Sequence, residues 1–419
     1  MHKKTTLDNG LRIVSASIPH VHSVSIGVIV GAGSRYESPE QAGISHFIEH
    51  LCFKGTKRRP TSKEISEAIE GVGGMLNGGT DKELTIYWCK VAQPHFPIAI
   101  DILADMLSHS TLDPEEIEKE RQVIIEEINM SFDSPQYRVD LLLDEVMWPD
   151  QPLGRDVAGS KTTVAKITRK DMLAYLRRQY VANNAVVSVA GDITHKEIVA
   201  GLEKGFGHWK RDTRQEWFPA DGSQRQPRLR VEERDTEQAH LCLAVPGLSL
   251  RDPDRFTLDL LSAMLGEGMS SRLFLEIREK KGLAYAISSC VDHFLDTGAL
   301  TVYAGVDPRQ VPATITAILG ELNRIKNGIP ADELKKTKEY CKGRMLLRME
   351  DTRSVSSWLG GQEFLLGNIL TIEQVISKIE AIEAKDLMRV AGQLFVGDML
   401  NLAIVGPVEE QGLSGLLHL

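Results

Sequence analysis

The stretch GISHFIEHLCFKGT (residues 43–56) holds two histidines four residues apart, with a glutamate immediately before the second. On a helix, His46 and His50 lie one turn apart on one face, so both imidazoles can reach a single ion. Glu49 projects beside the same edge. A catalytic zinc takes three protein ligands and keeps a fourth position for water. The pentapeptide supplies two ligands, and its glutamate is then free to act on that water as a base. Helical histidines are more often surface or capping residues. An accidental HxxEH in a chain with 12 histidines is nonetheless expected only about once in several tens of such sequences.

A third ligand must come from another element. The acidic stretch DPEEIEKERQVIIEEINMSF (113–132) opens with an Asp-Pro helix start and carries Ile117, Ile124, Ile125 and Ile128 on its apolar side. Glu120 and Glu127 are seven apart and share roughly one face, whereas Glu126 points about a quarter-turn away. One carboxylate from this helix would complete a His-His-Glu set, and another could hydrogen-bond a liganding histidine and orient it. Taken alone, so acidic a helix reads as a solvated face.

The elements that must position these residues occur twice. SVSIGVIVGAGS (23–34), TIYWCKV (85–91) and NAVVSVAGDI (184–193) read as strands, with TRKDMLAYLRRQY (168–180) a short helix. In the second half AHLCLAVPGLS (239–249) answers the opening strand, and IPADELKKTKEYCKGRMLLRME (329–350) answers the long acidic helix. EAKDLMRVAGQLFVGDMLNLAIVGPV (383–408) answers the short helix and its strand, matching Asp171 with Asp386 and Gly191 with Gly406. All these pairs lie at nearly the same offset, as an internal duplication gives. The expected fold is therefore α+β: two homologous domains, each a β-sheet with helices packed on it. The expected boundaries are 1–212, a polar linker at 213–228 with no sustained period, and 229–419. The second copy has no counterpart of HFIEH; its equivalent, DRFTLDLLSAMLG (254–266), is largely apolar.

Composition narrows the function. A net charge of −9 with no long basic run argues against nucleic-acid binding. Five scattered cysteines without a CxxC pair exclude a disulfide scaffold or a cysteine-built zinc site. No apolar run approaches a membrane span, and the start of the chain has neither a signal core nor an arginine-rich presequence. A cytoplasmic protein without a membrane span is the expectation.

With these residues in hand, the sequence resembles the pitrilysin/insulinase family of inverted-zincin metallopeptidases, the HxxEH class. AGISHFIEHLCFKGT is similar to the family's zinc helix. ERQVIIEEINM (120–130) resembles the helix carrying the third ligand, with 76 residues between His50 and Glu127. The resemblance implies that Glu127 rather than Glu126 is the ligand and that Glu120 orients a liganding histidine. In the second half, LGEGMSSRLFLEIREKKGLAYAISS (265–289) contains GEGMSS, which lacks the lysine and spacing of a P-loop. Without the family, Arg278 reads as a solvated helix charge and Tyr285 as a strand core residue. The resemblance makes them the pair that reaches the substrate and steadies the tetrahedral intermediate.

The family's substrate strand is typically entered by Asn-Ala-x-Thr. Here NGGT, Asn77 to Thr80, has Gly78 in place of alanine, and Glu83-Leu84 precede the strand residue Thr85. Strand-edge recognition through backbone groups survives such a change. Two domains match the bacterial processing-peptidase-like branch. The resemblance then implies a zinc-dependent endopeptidase with one Zn2+ per chain, enclosing short or unfolded peptides. It also implies a homodimer whose composite sites take Arg278 and Tyr285 from the opposite chain. The alternative is a non-catalytic scaffold or assembly subunit of the same fold, whose relatives usually erode the zinc ligands.

Overall fold

A computed structural model describes residues 2–419. Its strands are β1 (His2–Thr6), β2 (Arg12–Ser17), β3 (Ser23–Val30), β4 (Met75–Thr80), β5 (Thr85–Ala92) and β6 (Ala185–Gly191) in the first half. β7 (Arg228–Glu233), β8 (Ala239–Pro246), β9 (Ala284–His293), β10 (Gly298–Val306) and β11 (Asn401–Gly406) follow in the second. They form a six-stranded sheet of order β1-β2-β6-β3-β5-β4 and a five-stranded sheet of order β7-β11-β8-β10-β9. Apart from β1 the two orders coincide strand for strand. The directions coincide too: β2–β6 and β7–β11 are the parallel pairs, and the remaining neighbours are antiparallel. The chain is α+β and internally duplicated.

Burial explains why these segments are strands. β6 (AVVSVAG) and β11 (NLAIVG) are buried at every residue, as strands covered on both faces must be. The repeated glycine has a physical cause as well. Gly191 and Gly406 have φ of 148° and 155°. A side chain at either would run into the backbone that opens β3 or β8.

The compact units do not follow the chain halves. One comprises Met1–Ile128, Asp156–Phe218 and Leu347–Thr371; the other comprises Asn129–Arg155, Pro219–Leu346 and Ile372–Leu419. Each sheet is covered on one face by a helix from the opposite half of the sequence. The Thr352–Leu366 helix lies on β2, β6 and β3, where Leu359, Val355 and Trp358 pack on Val14 and Val186. There Ser188 and Ser356 each donate a hydroxyl to the other's carbonyl, at 2.6 and 2.9 Å. The Pro135–Met147 helix lies on β8 and β11, burying Val139, Leu142 and Leu143 against Cys242, Ala244, Ala403 and Val405. Residues 210–227 hold neither helix nor strand, and the last residue of the expected linker, Arg228, already opens β7.

Candidate metal centre

HFIEH lies in the helix Ile44–Cys52. Ile44, Phe47, Ile48 and Leu51 enter the core of the first unit, which fixes the rotation of the helix and leaves His46, Glu49 and His50 on its other side. The helix start is held from outside the helix. The Glu37 carboxylate accepts the backbone N–H groups of Gly43 and Ser45, each at 2.8 Å, where the helix dipole favours an anion. Gly43 has φ 95° and abuts the backbone of Ala158, so no side chain fits there.

The two imidazoles meet edge to face, with His46 Nε2 and His50 Nε2 3.2 Å apart. Glu127, from the acidic helix Pro114–Asp133, places Oε2 3.7 Å from the first and 3.8 Å from the second. Glu126 is exposed on the same helix. Two nitrogens and a carboxylate oxygen therefore form a small triangle with sides of 3.2–3.8 Å. Donors held about 2.0–2.2 Å from one tetrahedral centre lie roughly 3.3–3.6 Å apart. The triangle has that size, and its imidazole and carboxylate donors suit zinc. His46, Glu49 and His50 also form a group whose ligating atoms all lie within 4.8 Å of one another.

Around this triangle the remaining groups are fixed. Glu120, 4% exposed, takes His50 Nδ1 on Oε2 at 3.1 Å and the Lys54 ammonium on Oε1 at 2.6 Å. His50 is thereby turned so that its Nε2 faces His46. Lys54 lies just past the end of the helix, and no local sequence signal marks it as a partner of Glu120. Glu49 is 8% exposed and lies against β4, the edge strand of the sheet. A Cβ at Gly78 would collide with Glu49 Oε1 and crowd its Cδ. Glycine in place of the family's alanine thus gives the Glu49 carboxylate its seat.

The electrostatics follow from burial and crowding. Burial, with the charge of His50 added, pulls His46 down to about 4. Burial pulls on His50 too, but the Glu120 hydrogen bond and the charges of Glu49, Glu127 and Glu120 outweigh it and raise its pKa. Burial raises the Glu49 carboxyl, with Glu127 adding to the rise and His50 opposing it. Glu120 goes the other way: despite its burial, hydrogen bonds from His50 and Lys54 hold it below the ordinary range.

Among the other expected residues, Asn77 folds its side chain back onto the Gly78 N–H at 2.7 Å. Thr80 pairs with Thr85 in the β4–β5 ladder. Thr85 is fully buried, and its hydroxyl donates to Ala32 O at 3.1 Å and lies 3.3 Å from the Thr80 hydroxyl. Glu83 turns inward to a buried ion pair with Arg35 at 2.5 Å. In the second unit Arg278 and Tyr285 come together, with the guanidinium 5.8 Å from the phenol ring centroid. Tyr285 is 75% exposed and is no part of a strand core.

Comparison with known proteins agrees in family. A family model described as insulinase (peptidase family M16) matches residues 12–161, and one described as the peptidase M16 inactive domain matches residues 166–341. YmxG of Bacillus subtilis, named an uncharacterized zinc protease, is 39% identical over 414 residues, covering 97% of this chain and 98% of its own length. A solved protease from Helicobacter pylori superimposes with a TM-score of 0.93 at 25% identity, over 97% of this chain and 99% of that one. A peptidase M16 inactive domain from Pseudomonas fluorescens shares the fold at TM-score 0.90 and 17% identity, over 98% and 99%. No helix among the described residues is long and apolar enough to cross a membrane.

Proposed function

The chain belongs to the insulinase family, peptidase family M16, and from that premise we propose that it is a zinc-dependent endopeptidase for short or unfolded peptides. His46, His50 and Glu127 would hold the metal. The observation that carries this reading is the triangle of His46 Nε2, His50 Nε2 and Glu127 Oε2, with sides of 3.2–3.8 Å. Held there, zinc would supply Lewis acidity, the chemistry that lowers the pKa of a water and polarises a carbonyl.

The chain's own groups do the rest. Glu49, buried beside the histidines and short of ordinary acidity, accepts the proton of the attacking water and passes it to the leaving amine. Glu120 orients His50. Tyr285 and Arg278 donate to the developing oxyanion, the kind of interaction that matters most where charge appears in the transition state. The peptide lies extended along the free edge of β4, whose backbone groups pair with it as a further strand. Two chains form a homodimer around an enclosed chamber, each site taking Arg278 and Tyr285 from the other chain.

The test joins metal analysis to peptide cleavage. The purified protein is expected to carry one zinc per chain, to cleave a mixed peptide library, to lose activity with chelator, and to regain it on adding zinc. Zinc-loaded protein that cleaves no member of the library would overturn the enzyme reading.

A further inference from the structure

Arg278 lies in a segment with unusual winding. Phe274–Lys280 is a π-helix, and at its end the Lys281 N–H reaches back five residues to Glu276 O at 3.2 Å instead of the usual four. Each turn therefore holds more residues than an α-helix, and Arg278 is carried around the axis from where α-winding would put it. Such segments are rare and gather at functional sites, because they cost hydrogen-bond geometry. Leu273 and Ile277 anchor the segment in the core of the second unit.

What Arg278 meets there is aromatic. Its guanidinium carbon stands 4.8 Å from the ring centroid of Phe274, four residues earlier, and 5.8 Å from that of Tyr285. Phe274 is 8% exposed, so its ring is a fixed platform, whereas Tyr285 stands out into solvent at 75%. Neighbouring cations are paired: Lys280 and Lys281 both bind Glu276. No carboxylate or carbonyl among the described residues takes Arg278. A planar, weakly hydrated cation stacked on a ring keeps its edge donors free. An arginine held by faces, with every N–H unclaimed, is arranged to bind something that arrives.

We propose that Phe274, set by the π-helical turn, is the positioning residue that holds Arg278 against Tyr285 and aims both at substrate. This deepens the peptidase reading above and rests on its assignment of Arg278 and Tyr285. Phe274 touches no substrate; it acts through Arg278. An aliphatic residue of similar size fills the same space but offers the guanidinium no π face, so Arg278 is released to rotate through solvent.

The experiment measures kcat and KM on one fluorogenic peptide for wild type, Phe274→Leu, Phe274→Tyr, Arg278→Ala and the double variant Phe274→Leu/Arg278→Ala. Melting curves accompany each, and Phe274→Met replaces Phe274→Leu if the latter does not fold. Phe274→Leu is expected to lower kcat roughly two- to fivefold, the order of a cation–π contact at an exposed site, with KM little changed. Phe274→Tyr keeps the ring face and is expected to retain activity. The double variant is expected to be no slower than Arg278→Ala alone, since residues acting as one unit are not additive. Near wild-type kcat in Phe274→Leu beside a crippled Arg278→Ala overturns the proposal. So does the full Phe274→Leu loss recurring in the Arg278→Ala background. Wild-type activity in Arg278→Ala overturns instead the role given to Arg278, and the proposal falls with it.

Discussion

At the scale of single residues, two carboxylates with different surroundings divide the work. Glu49 is buried beside Gly78 and held by no hydrogen bond or ion pair among the described residues, whereas Glu120 is gripped by His50 and Lys54. Glu49→Gln preserves shape and fits the same seat. It is expected to keep fold and zinc content while kcat falls by about 10²–10⁴, the range of general base catalysis. Peptide cleavage near the wild-type rate would remove Glu49 from the role of base. Glu127→Gln and Glu120→Gln should separate by metal analysis. The first is expected to lose most bound zinc. The second is expected to retain part of it with affinity weakened some 10- to 100-fold, as when an orienting partner is lost. Zinc affinities ranked the other way would exchange the two assignments.

At the scale of elements, strands end where side chains bind their neighbours. His293 closes β9, donating from Nδ1 to Leu248 O at 2.6 Å, with Nε2 3.1 Å from Asp259 Oδ1. Burial alone would lower its pKa, but the Asp259 hydrogen bond and charge, helped by Leu248, raise it. Both ring nitrogens face acceptors, so the charged imidazolium satisfies both. A raised folded pKa means that this stabilisation is fully present below the unfolded value of about 6.5 and is lost as pH rises through the folded value. Asp259→Asn should therefore lower the melting temperature more at pH 5.5 than at pH 8.5, relative to wild type. A difference between the two proteins that does not vary with pH would refute the linkage.

At the scale of the whole molecule, each unit needs a helix from the far half of the sequence. Residues 1–212 expressed alone lack Thr352–Leu366, which leaves Val14 and Val186 uncovered on the back of the sheet. That fragment is expected to aggregate or to melt without cooperativity, and adding residues 347–371 on a flexible tether should restore a cooperative transition. A soluble fragment with a sharp melt would show that the exchanged helix is dispensable. The proposed composite sites give a second prediction. Mixed dimers of Arg278→Ala chains and Glu49→Gln chains should recover activity through one intact site, measured after tag-selective purification of the heterodimer. A proven mixed dimer without activity contradicts sharing between chains.

Much of the candidate site is legible in the sequence. The spacing of His46 and His50 dictates a shared face, because helical periodicity is local. The matched Gly191 and Gly406 marked the repeat, because each ends a strand at positive φ beside a neighbouring backbone. Other features were not legible. Helical spacing sets Glu120 and Glu127 apart from Glu126, but apart from the family resemblance only packing decides which of those two carboxylates approaches both histidines. Nothing local shows that Glu83, just before Thr85, is turned inward by Arg35, forty-eight positions away in sequence. The helix exchange left no local trace, since an apolar helical face records that it is buried, not against which sheet. The sequence by itself determined the family signature, the shared face of its histidines and the internal repeat. The tertiary structure decided which distant side chains complete each site, because those distances are set by core packing that no local pattern encodes.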